Sequence, residues 1–490
     1  MANFSRRAPS QTALEPVQHI LSRLGIKVAA LVNDSRKARP GSVFVAYPGE
    51  ARDGRDFIPQ AVAQRADGVL WEADHYLWDP ALAIPNAGVT DLRTRVGEIA
   101  AHVYGDPSRD LHMVGVTGTN GKTSVAHWIA QAFTQLGRKT AVIGTVGNGF
   151  PDALAPALNT TPDAIELQRR LAHYRQQGAA GCAMEVSSHG LVQGRLNGTR
   201  FDVAVLTNLS RDHLDYHGDM DSYAAAKARL FDWPELDWAV LNVDDAFGQR
   251  LANETRSARV AGYGFQRGAV VGDGLRLSQA GLRLEVRTDW GRADLEAPLL
   301  GRFNAANLLA VLTTLLVSGV KLDDACRALA HVTPPAGRMQ TLGGGSQPLV
   351  VVDYAHTPDA LEKVLATLRE LVGDGRLICV FGCGGNRDRG KRPLMGRAVA
   401  QNADEIWVTS DNPRNEDPLR VINDILAGMD GKPRTEPDRA RAIFEAVGNA
   451  HQGDVVLIAG KGHEDYQEVA GERLPFSDVA VAGKALEAWS

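Results

Sequence analysis

Four cysteines among 490 residues, Cys182, Cys326, Cys379 and Cys383, are too few and too scattered for a disulfide framework, and the spacing around Cys383 has no partner ligands elsewhere for a metal. Reduced, structural cysteines are expected. No segment approaches the uninterrupted apolar length of a membrane span, and the N-terminal MANFSRRAPSQTALEP has basic residues without an apolar core behind them. A cytoplasmic chain with no membrane insertion is therefore expected. Charge of one sign is also lacking: 53 basic and 58 acidic residues leave a net charge near −5, with no electrostatic footprint for nucleic acid or anionic lipid. A polyanionic substrate would have to be met by local arginines. Neither a short-period repeat nor a low-complexity tract is present.

What is present is length, 490 residues, which suggests about two to four domains, and enough apolar material, 44% of the residues, to fill their separate cores. Leu111 to Ser124, LHMVGVTGTNGKTS, stands out because an apolar strand runs into a glycine-rich turn ending in Gly-Lys-Thr. Such a turn cradles nucleotide phosphates: Gly118 and Gly121 let backbone N–H groups approach, Lys122 supplies a point charge and Thr123 a hydroxyl for Mg²⁺, at a helix N-terminus. The common pattern wants glycine five positions before Gly121, where this chain has Val116. An ordinary strand-to-helix turn is the alternative; ATP or GTP binding is the base reading.

Three blocks follow from the patterning. Residues 1–108 mix short strands such as SVFVAY (Ser42 to Tyr47) and Gly68 to Trp71 with polar turns, ending at Tyr-Gly-Asp-Pro. Residues 109–335 alternate strands (TAVIGTV, CAMEVSS, DVAVLTNL, DWAVLNVDD) with helical patterns, as in a doubly wound, mainly parallel sheet. Within them, Val260 to Glu296 reads as antiparallel hairpins before a helix around Asn304 to Leu316, and Pro334-Pro335 closes the block. Residues 336–490 again alternate, with PLVVVDYA, RLICVFGCGG, EIWVTSDNP and DVVLIAGKG each placing polar residues after an apolar run. Ligands gather at the carboxyl ends of strands in open α/β sheets, so these turns together suggest a site.

Several side chains suit chemistry there. Glu185 and His213 follow strands on the edge that carries the phosphate loop, and a carboxylate with an imidazole suits Mg²⁺ beside a nucleotide; either alone reads as a hydrogen-bonded or surface group. Lys227, in the alanine-rich helix SYAAAKARLF, reads on residues alone as a solvated lysine. In DYAHTPDAL, Thr357 caps a helix with Pro358 at its first position, leaving Asp353 and His356 exposed in the turn. Arg414 in DNPRNEDP, Arg387 in GNRDRGKRP and Glu464 in AGKGHEDY offer cations for a carboxylate and an anion for an ammonium, as a zwitterionic amino acid needs. A surface ion-pair cluster explains the same charges.

Taken together, VGVTGTNGKTS, NTTPD, MEVSSHGL, NLSRDHLDYHG, YAAAKARLF, GRFNAANLLA, PAGRMQ, VVDYAHTPDAL, GCGGNRDRGKRPLMG, SDNPRNEDP and AGKGHEDYQ resemble, in order and over nearly the whole chain, the Mur ligases of peptidoglycan synthesis. The resemblance is to the branch that adds meso-diaminopimelate. It implies an α/β chain of three domains: an N-terminal UDP-substrate domain (1–108), a central doubly wound P-loop ATPase (109–335) and a C-terminal Rossmann-like amino-acid domain (336–490). ATP and Mg²⁺ are implied cofactors, with a UDP-N-acetylmuramoyl dipeptide and meso-diaminopimelate as substrates, an acyl phosphate on the pathway, and a monomer.

By position, the resemblance places Gly118, Thr119, Asn120, Gly121, Lys122, Thr123 and Ser124 on the ATP phosphates, and Thr123, Glu185 and His213 on Mg²⁺. Lys227 becomes a lysine carbamylated by CO₂, a metal-binding anion instead of a solvated cation. Asn304 is placed near adenine, and Arg338 and Asp353 at the terminal phosphate and ribose. Asn33, Ser35, Asn159, Thr160, Thr161, Ser187, Gln193 and Arg195 fall at nucleotide-sugar positions. Arg387, Asp411, Asn412, Pro413, Arg414, Gly460 and Glu464 fall at diaminopimelate positions. Ser124 stands where the family often has a second threonine, and Glu50-Ala51-Arg52 differs from the His-Gln-Ala of some relatives at the uracil side. The competing readings are an L-lysine-adding ligase, a folylpolyglutamate-type ligase, a P-loop kinase and a nucleotide-binding regulator; Arg414 in its Asp-Asn-Pro-Arg run argues against the first two.

Overall fold

A computed structural model describes residues 15–50, 52–431 and 433–489. Backbone proximity groups the described residues into two compact units, one within residues 1–113, 161–180 and 187–201, the other within 114–160, 181–186 and 202–490.

The first unit holds a parallel sheet of β1 (Ala30–Val32), β2 (Ser42–Ala46), β3 (Gly68–Glu72) and β4 (Asn86–Val89) in sequential order. All five residues of β2 are buried because both faces of the sheet are covered. Val43 and Val45 pack with Leu70, Val89 and Ile99, while Phe44 and Ala46 point the other way onto Ile58, Ala61 and Val69. That split is the two-residue period of a strand.

The second unit contains an eleven-stranded sheet, built from β5 (His112–Thr117), β6 (Thr140–Ile143), β7 (Asn148–Phe150), β8 (Ala153–Ala155), β9 (Gly181–Glu185), β10 (Val203–Leu206), β11 (Trp238–Asn242), β12 (Arg259–Gly264), β13 (Val270–Ser278), β14 (Gly281–Thr288) and β15 (Gly291–Ala297). Its order is β15-β14-β13-β12-β11-β10-β5-β9-β6-β7-β8. β6 pairs parallel with β9, and β5, β10, β11 and β12 pair parallel in turn, as expected of a wound sheet. The region expected to be all antiparallel hairpins departs in part: β12 pairs parallel with β11 and β13, and only β13, β14 and β15 form the antiparallel meander. Ala261 and Tyr263 explain the difference, because both are buried in the continuing sheet. Its main core gathers Val116, Trp128, Ile129 and Phe133 with Leu308, Leu312 and Leu315 of the helix Arg302–Val317.

A second sheet of this unit comprises β16 (Gln340–Gly343), β17 (Leu349–Asp353), β18 (Leu377–Phe381), β19 (Glu405–Val408), β20 (Arg434–Thr435) and β21 (Val455–Ala459), in the order β16-β17-β21-β18-β19-β20. Val351, Cys379 and Leu457 face one apolar cluster, and Val350, Ile378, Val456 and Ile458 face another. Covered on both faces, β17, β18 and β21 are uninterrupted apolar runs, which is why the sequence displays them so plainly. A hairpin of β22 (Tyr466–Val469) and β23 (Glu472–Pro475) follows. All four cysteines are unpaired and buried. Among the described residues no helix is long and apolar enough to cross a membrane.

Candidate active site

Residues 118–121 connect β5 to the helix Lys122–Gln135, with Gly121 as its N-cap at φ 87°. Two contacts demand glycine here: a Cβ on Gly118 (φ 147°) would collide with Thr207 Oγ1, and one on Gly121 would lie 2.5 Å from Asn307 Oδ1. The loop is tied to the turn after β10. Thr119 N–H donates to Asn208 O (2.9 Å), Asn120 N–H to Asn208 Oδ1 (3.1 Å), and Thr207 Oγ1 to Asn120 O (2.6 Å). Lys122 Nζ donates to Gly118 O (2.9 Å) and Thr119 O (2.8 Å), folding over the loop it serves. Burial pulls its pKa down, partly offset by the carboxylates of Glu185 and Asp212.

Lys227 departs from the residue-based expectation of a solvated lysine. On the helix Met220–Ala228 it is 1% exposed, and its Nζ donates to the same Gly118 carbonyl at 2.9 Å. Burial, then the charge of Lys122, lower its pKa well below the usual lysine value. Desolvation and a neighbouring cation both disfavour its charged form. The aromatic face of Tyr223 lies 4.6 Å from Nζ, and Tyr223 Oη is 3.3 Å from Thr119 Oγ1.

Glu185 ends β9, where its Oε1 accepts from Thr145 N–H (2.7 Å) and its Oε2 from Thr145 Oγ1 (3.3 Å). Thr145 Oγ1 is in turn 3.0 Å from Thr160 Oγ1. His213 sits exposed at φ 52°, with Nε2 3.4 Å from Asp212 Oδ2. Thr123 and Ser124 are buried in the first turn of the loop helix. Among the described residues no group of three His, Cys, Asp or Glu side chains is placed to hold a metal. Mg²⁺ does not require one, because it is usually held by one or two carboxylates together with phosphate oxygens and water.

Farther along the same helix, His127 is 3% exposed, and burial, with Arg338 and His463 adding, pushes it from the usual 6.5 to about 4. Unfolding lets the ring bind a proton between these values, so the folded state should lose stability as pH falls from about 6.5 to about 4. The full effect is roughly 3 kcal/mol at 1.36 kcal/mol per unit. Denaturant midpoints across that range should fall more steeply in the wild type than in His127→Gln; parallel curves would refute the assignment.

Asn304 is buried, donating from Nδ2 to Leu300 O (2.9 Å) and accepting from Asn307 Nδ2 (3.3 Å), so through Asn307 it adjoins Gly121. Asp353, expected to be exposed, is only 7% so, because its two carboxylate oxygens accept from Ala355 N–H and Met339 N–H, both at 2.8 Å. Burial raises its pKa, with Arg338 opposing. The Arg338 guanidinium lies over the Tyr354 ring at 4.8 Å, and His356 is exposed as expected. Thr357 caps the helix Pro358–Val372, also as expected.

Polar groups converge at the carboxyl ends of β18, β19 and β21. Asp411 and Asn412 are buried, and Asn412 Nδ2 donates to Glu464 Oε2 (2.8 Å). A Cβ on Gly460 (φ 119°) would lie 2.9 Å from Asp411 Oδ2, so glycine keeps that carboxylate's surroundings open. Arg414, at φ 51°, is pinned by main-chain bonds to Glu468 O (2.9 Å) and from Ala470 N–H (2.7 Å). Its Nη1 donates to Gly385 O (2.8 Å), and its Nε is 3.3 Å from Glu468 Oε2. Pro413 O faces Gly385, and Arg387 is exposed in the neighbouring loop, whose Gly384 lies against both Arg414 and Arg387. The fully buried Arg439–Asp478 pair (2.7 Å) underlies the cluster, donating to Ala459 O (2.9 Å) and Ser410 O (3.3 Å).

In the first unit, Ser35 is buried with its Oγ donating to Gln60 Oε1 (2.7 Å). Asn33, Ser35, Phe44, Arg52 and Gln60 line a pocket of about 300 Å³. Ala51, in the turn that departs from some relatives, lies outside the described residues. Arg195 Nη1 donates to Thr161 O (2.7 Å) and its Nε to Gln193 Oε1 (2.8 Å), while Thr161 Oγ1 accepts from Ser187 N–H (3.0 Å). Thr161, Ser187, Gln193 and Arg195 are therefore one cluster; Asn159 and Thr160 belong to the other unit, and Asn159 is exposed.

Left-handed backbone marks several of these places. His213, Met339, Asn386 and Arg414 have φ between 49° and 52°, and each is a candidate residue or the neighbour of one. Such conformations cost about 1–3 kcal/mol and persist where the surroundings over-determine them, commonly at functional sites.

Three family models match the chain: the Mur ligase family, catalytic domain, over residues 27–104; the Mur ligase middle domain over 116–315; and the Mur ligase, glutamate ligase domain, over 337–462. Over 475 residues the chain is 55% identical to a UDP-N-acetylmuramoyl-L-alanyl-D-glutamate--2,6-diaminopimelate ligase of Chromobacterium violaceum, covering 96% of each. The chain belongs to the Mur ligase family. A solved UDP-N-acetylmuramoyl-L-alanyl-D-glutamate--2,6-diaminopimelate ligase aligns with a TM-score of 0.71 at 39% identity, covering 94% of this chain and 95% of that one. Folylpolyglutamate synthase of Mycobacterium tuberculosis, complexed with ADP and AMPPCP, aligns at 0.60 and 21% identity over 75% of this chain and 92% of its own, a likeness of fold alone. The mixed α/β, three-domain Mur ligase fold expected from the motifs is borne out, as is membership of a family of ATP-dependent, amide-forming ligases.

Among residues of this Mur ligase that the sequence did not single out, Thr207, Asn208 and Tyr223 hold the phosphate loop, and Asn307 packs on Gly121. The signal for Asn208 was available, since it lies in the same NLSRDH run as His213. Asn307, a polar residue inside an otherwise apolar helix, was the available signal for the fourth.

Proposed function

We propose that this Mur ligase joins meso-2,6-diaminopimelate to UDP-N-acetylmuramoyl-L-alanyl-D-glutamate at the expense of ATP. The observation that carries the substrate assignment is Arg414, a guanidinium fixed by main-chain bonds beside the Asp411, Asn412 and Glu464 cluster. A cation next to anions suits the distal zwitterionic centre of diaminopimelate, and L-lysine has no carboxylate there for the arginine to grip.

The three blocks 1–108, 109–335 and 336–490 then act as domains for the UDP substrate, ATP and the amino acid, in a cytoplasmic monomer. Gly118 to Ser124 cradle the ATP phosphates, with Asn304 near adenine, Arg338 at the terminal phosphate and Asp353 at the ribose. Asn33, Ser35, Asn159, Thr160, Thr161, Ser187, Gln193 and Arg195 bind the nucleotide sugar. Arg387, Asp411 to Arg414, Gly460 and Glu464 bind diaminopimelate.

A carboxylate is a poor electrophile, so the D-glutamate side chain first attacks the terminal phosphorus of ATP, giving an acyl phosphate and ADP. The amine at the L-centre of diaminopimelate then adds to that carbonyl, and the tetrahedral intermediate expels phosphate to leave an amide. Phosphoryl transfer depends mainly on positioning and charge stabilisation, which Lys122 and the loop N–H groups supply. Thr123, Glu185, His213 and a carbamate on Lys227 would hold Mg²⁺, which would neutralise charge on the phosphate oxygens. The carbamate forms when the neutral Lys227 amine adds to CO₂ and releases a proton, creating an anion beside Lys122 where an ammonium would be repelled.

ADP release and product mass with the UDP dipeptide, ATP and Mg²⁺ should depend on meso-diaminopimelate and not on L-lysine or buffer alone. Preference for lysine would overturn the role of Arg414. Arg414→Ala should raise KM for diaminopimelate about 10- to 100-fold, corresponding to the roughly 1.5–3 kcal/mol of a hydrogen bond to a charged group. An unchanged KM would remove Arg414 from the site.

A further inference from the structure

Lys461 lies between two glycines in Ala-Gly-Lys-Gly-His-Glu, next to Gly460 and three residues before Glu464. It is fully buried, with Nζ donating to Asn412 Oδ1 (3.0 Å) and Glu464 Oε2 (2.9 Å) and lying 3.8 Å from Asp411 Oδ1. It belongs to neither apolar cluster of the surrounding sheet. The ammonium therefore rests on the same three side chains that the amino-acid site offers to a substrate. Asn412 Oδ1 also accepts from Glu468 N–H (2.9 Å), and Asn412 Nδ2 donates to Glu464, so its amide is held in one orientation.

The electrostatic setting makes this cation consequential. Burial raises the pKa of Asp411, Arg439 and Lys461 lower it, and Glu464 and Asp478 raise it further. Tyr466 faces the ammonium at 5.4 Å, His463 senses both Lys461 and Glu464, and Tyr354, His356 and Cys383 sense Asp411 from other turns. Without Lys461, the buried Asp411 and the half-buried Glu464 would be left with Arg439 as a cation near Asp411, and that arginine already forms a bidentate pair with Asp478.

We propose that Lys461 is a positioning residue for the amino-acid substrate, fixing Glu464 and Asn412 and standing as the cation beside Asp411, so that these side chains are held to receive the ammonium of the incoming zwitterion. This rests on the proposed diaminopimelate reading. Two variants separate orientation from charge: Lys461→Met removes both, and Lys461→Gln keeps a hydrogen-bonding tip without the charge. With meso-diaminopimelate as the probe, Lys461→Met should raise KM by about tenfold or more, as expected for loss of a charge-assisted contact, while KM for ATP is unchanged. In both variants the acid limb of kcat/KM for diaminopimelate should move to higher pH, because Asp411 takes up its proton more readily.

Wild-type KM with an unmoved acid limb in both variants would overturn the proposal. So would lowered thermal stability with no shift of the limb, which would make Lys461 structural only. A wild type that consumes ATP with another amine, but not with diaminopimelate, would instead overturn the substrate assignment.

Discussion

ADP release by Lys122→Ala is expected to fall about 100- to 1,000-fold or more, the scale seen when one preorganised donor is removed from a site of developing charge. Lys122 Nζ already spans the loop between Gly118 O and Thr119 O, so the cation needs only to exchange these carbonyls for phosphate oxygens. Those bonds also predict a folded variant: the helix is carried by Val125, Trp128, Ile129 and Phe133 in the core and by the Trp128 bond to Thr333 O (2.9 Å). The decisive measurement is single-turnover ADP formation with saturating UDP dipeptide, alongside a thermal melt. Turnover within a few-fold of wild type in a folded variant would remove Lys122 from phosphoryl transfer.

The second large effect is expected at Lys227, where the Met variant should also lose about two orders of magnitude in ADP formation, again the scale of one lost charge-stabilising group. Methionine preserves most of the buried volume, so activity is tested without opening a cavity. The wild type should incorporate isotope-labelled bicarbonate as a carbamate signal in NMR, and Lys227→Met should lack that signal. Unimpaired turnover in Lys227→Met would sink the carbamate role. The physical basis is desolvation: a lysine that shares the Gly118 carbonyl with a second lysine, away from solvent, holds its proton less tightly than a solvated one.

The alternating apolar runs that became β9, β10, β17, β18 and β21 were legible because strands covered on both faces are uninterrupted in apolar character. Their polar ends were legible too, since parallel strands deliver Glu185 to the carboxyl edge of one sheet and Asp353 and Asp411 to that of the other. Less visible were features depending on what lies across from a residue. Lys227 in an alanine-rich helix looks solvated until that helix is packed beside the phosphate loop. Asp353 looks exposed until two N–H groups, one of them fourteen residues upstream, close on its carboxylate. The parallel pairing of β12 was equally hidden, because its direction depends on β11 instead of its own alternation.

By itself the sequence determined the wound α/β class, the phosphate loop, the family and nearly all the candidate residues, because hydrophobic period, turn chemistry and motif order are local properties of the chain. Only the tertiary structure decided which charges are buried and which partners they share: Lys227 with Lys122 on Gly118 O, and Lys461 among Asn412, Glu464 and Asp411. Desolvation and pairing are set by neighbours far apart in sequence, and they govern whether an amine stands as a cation or a nucleophile.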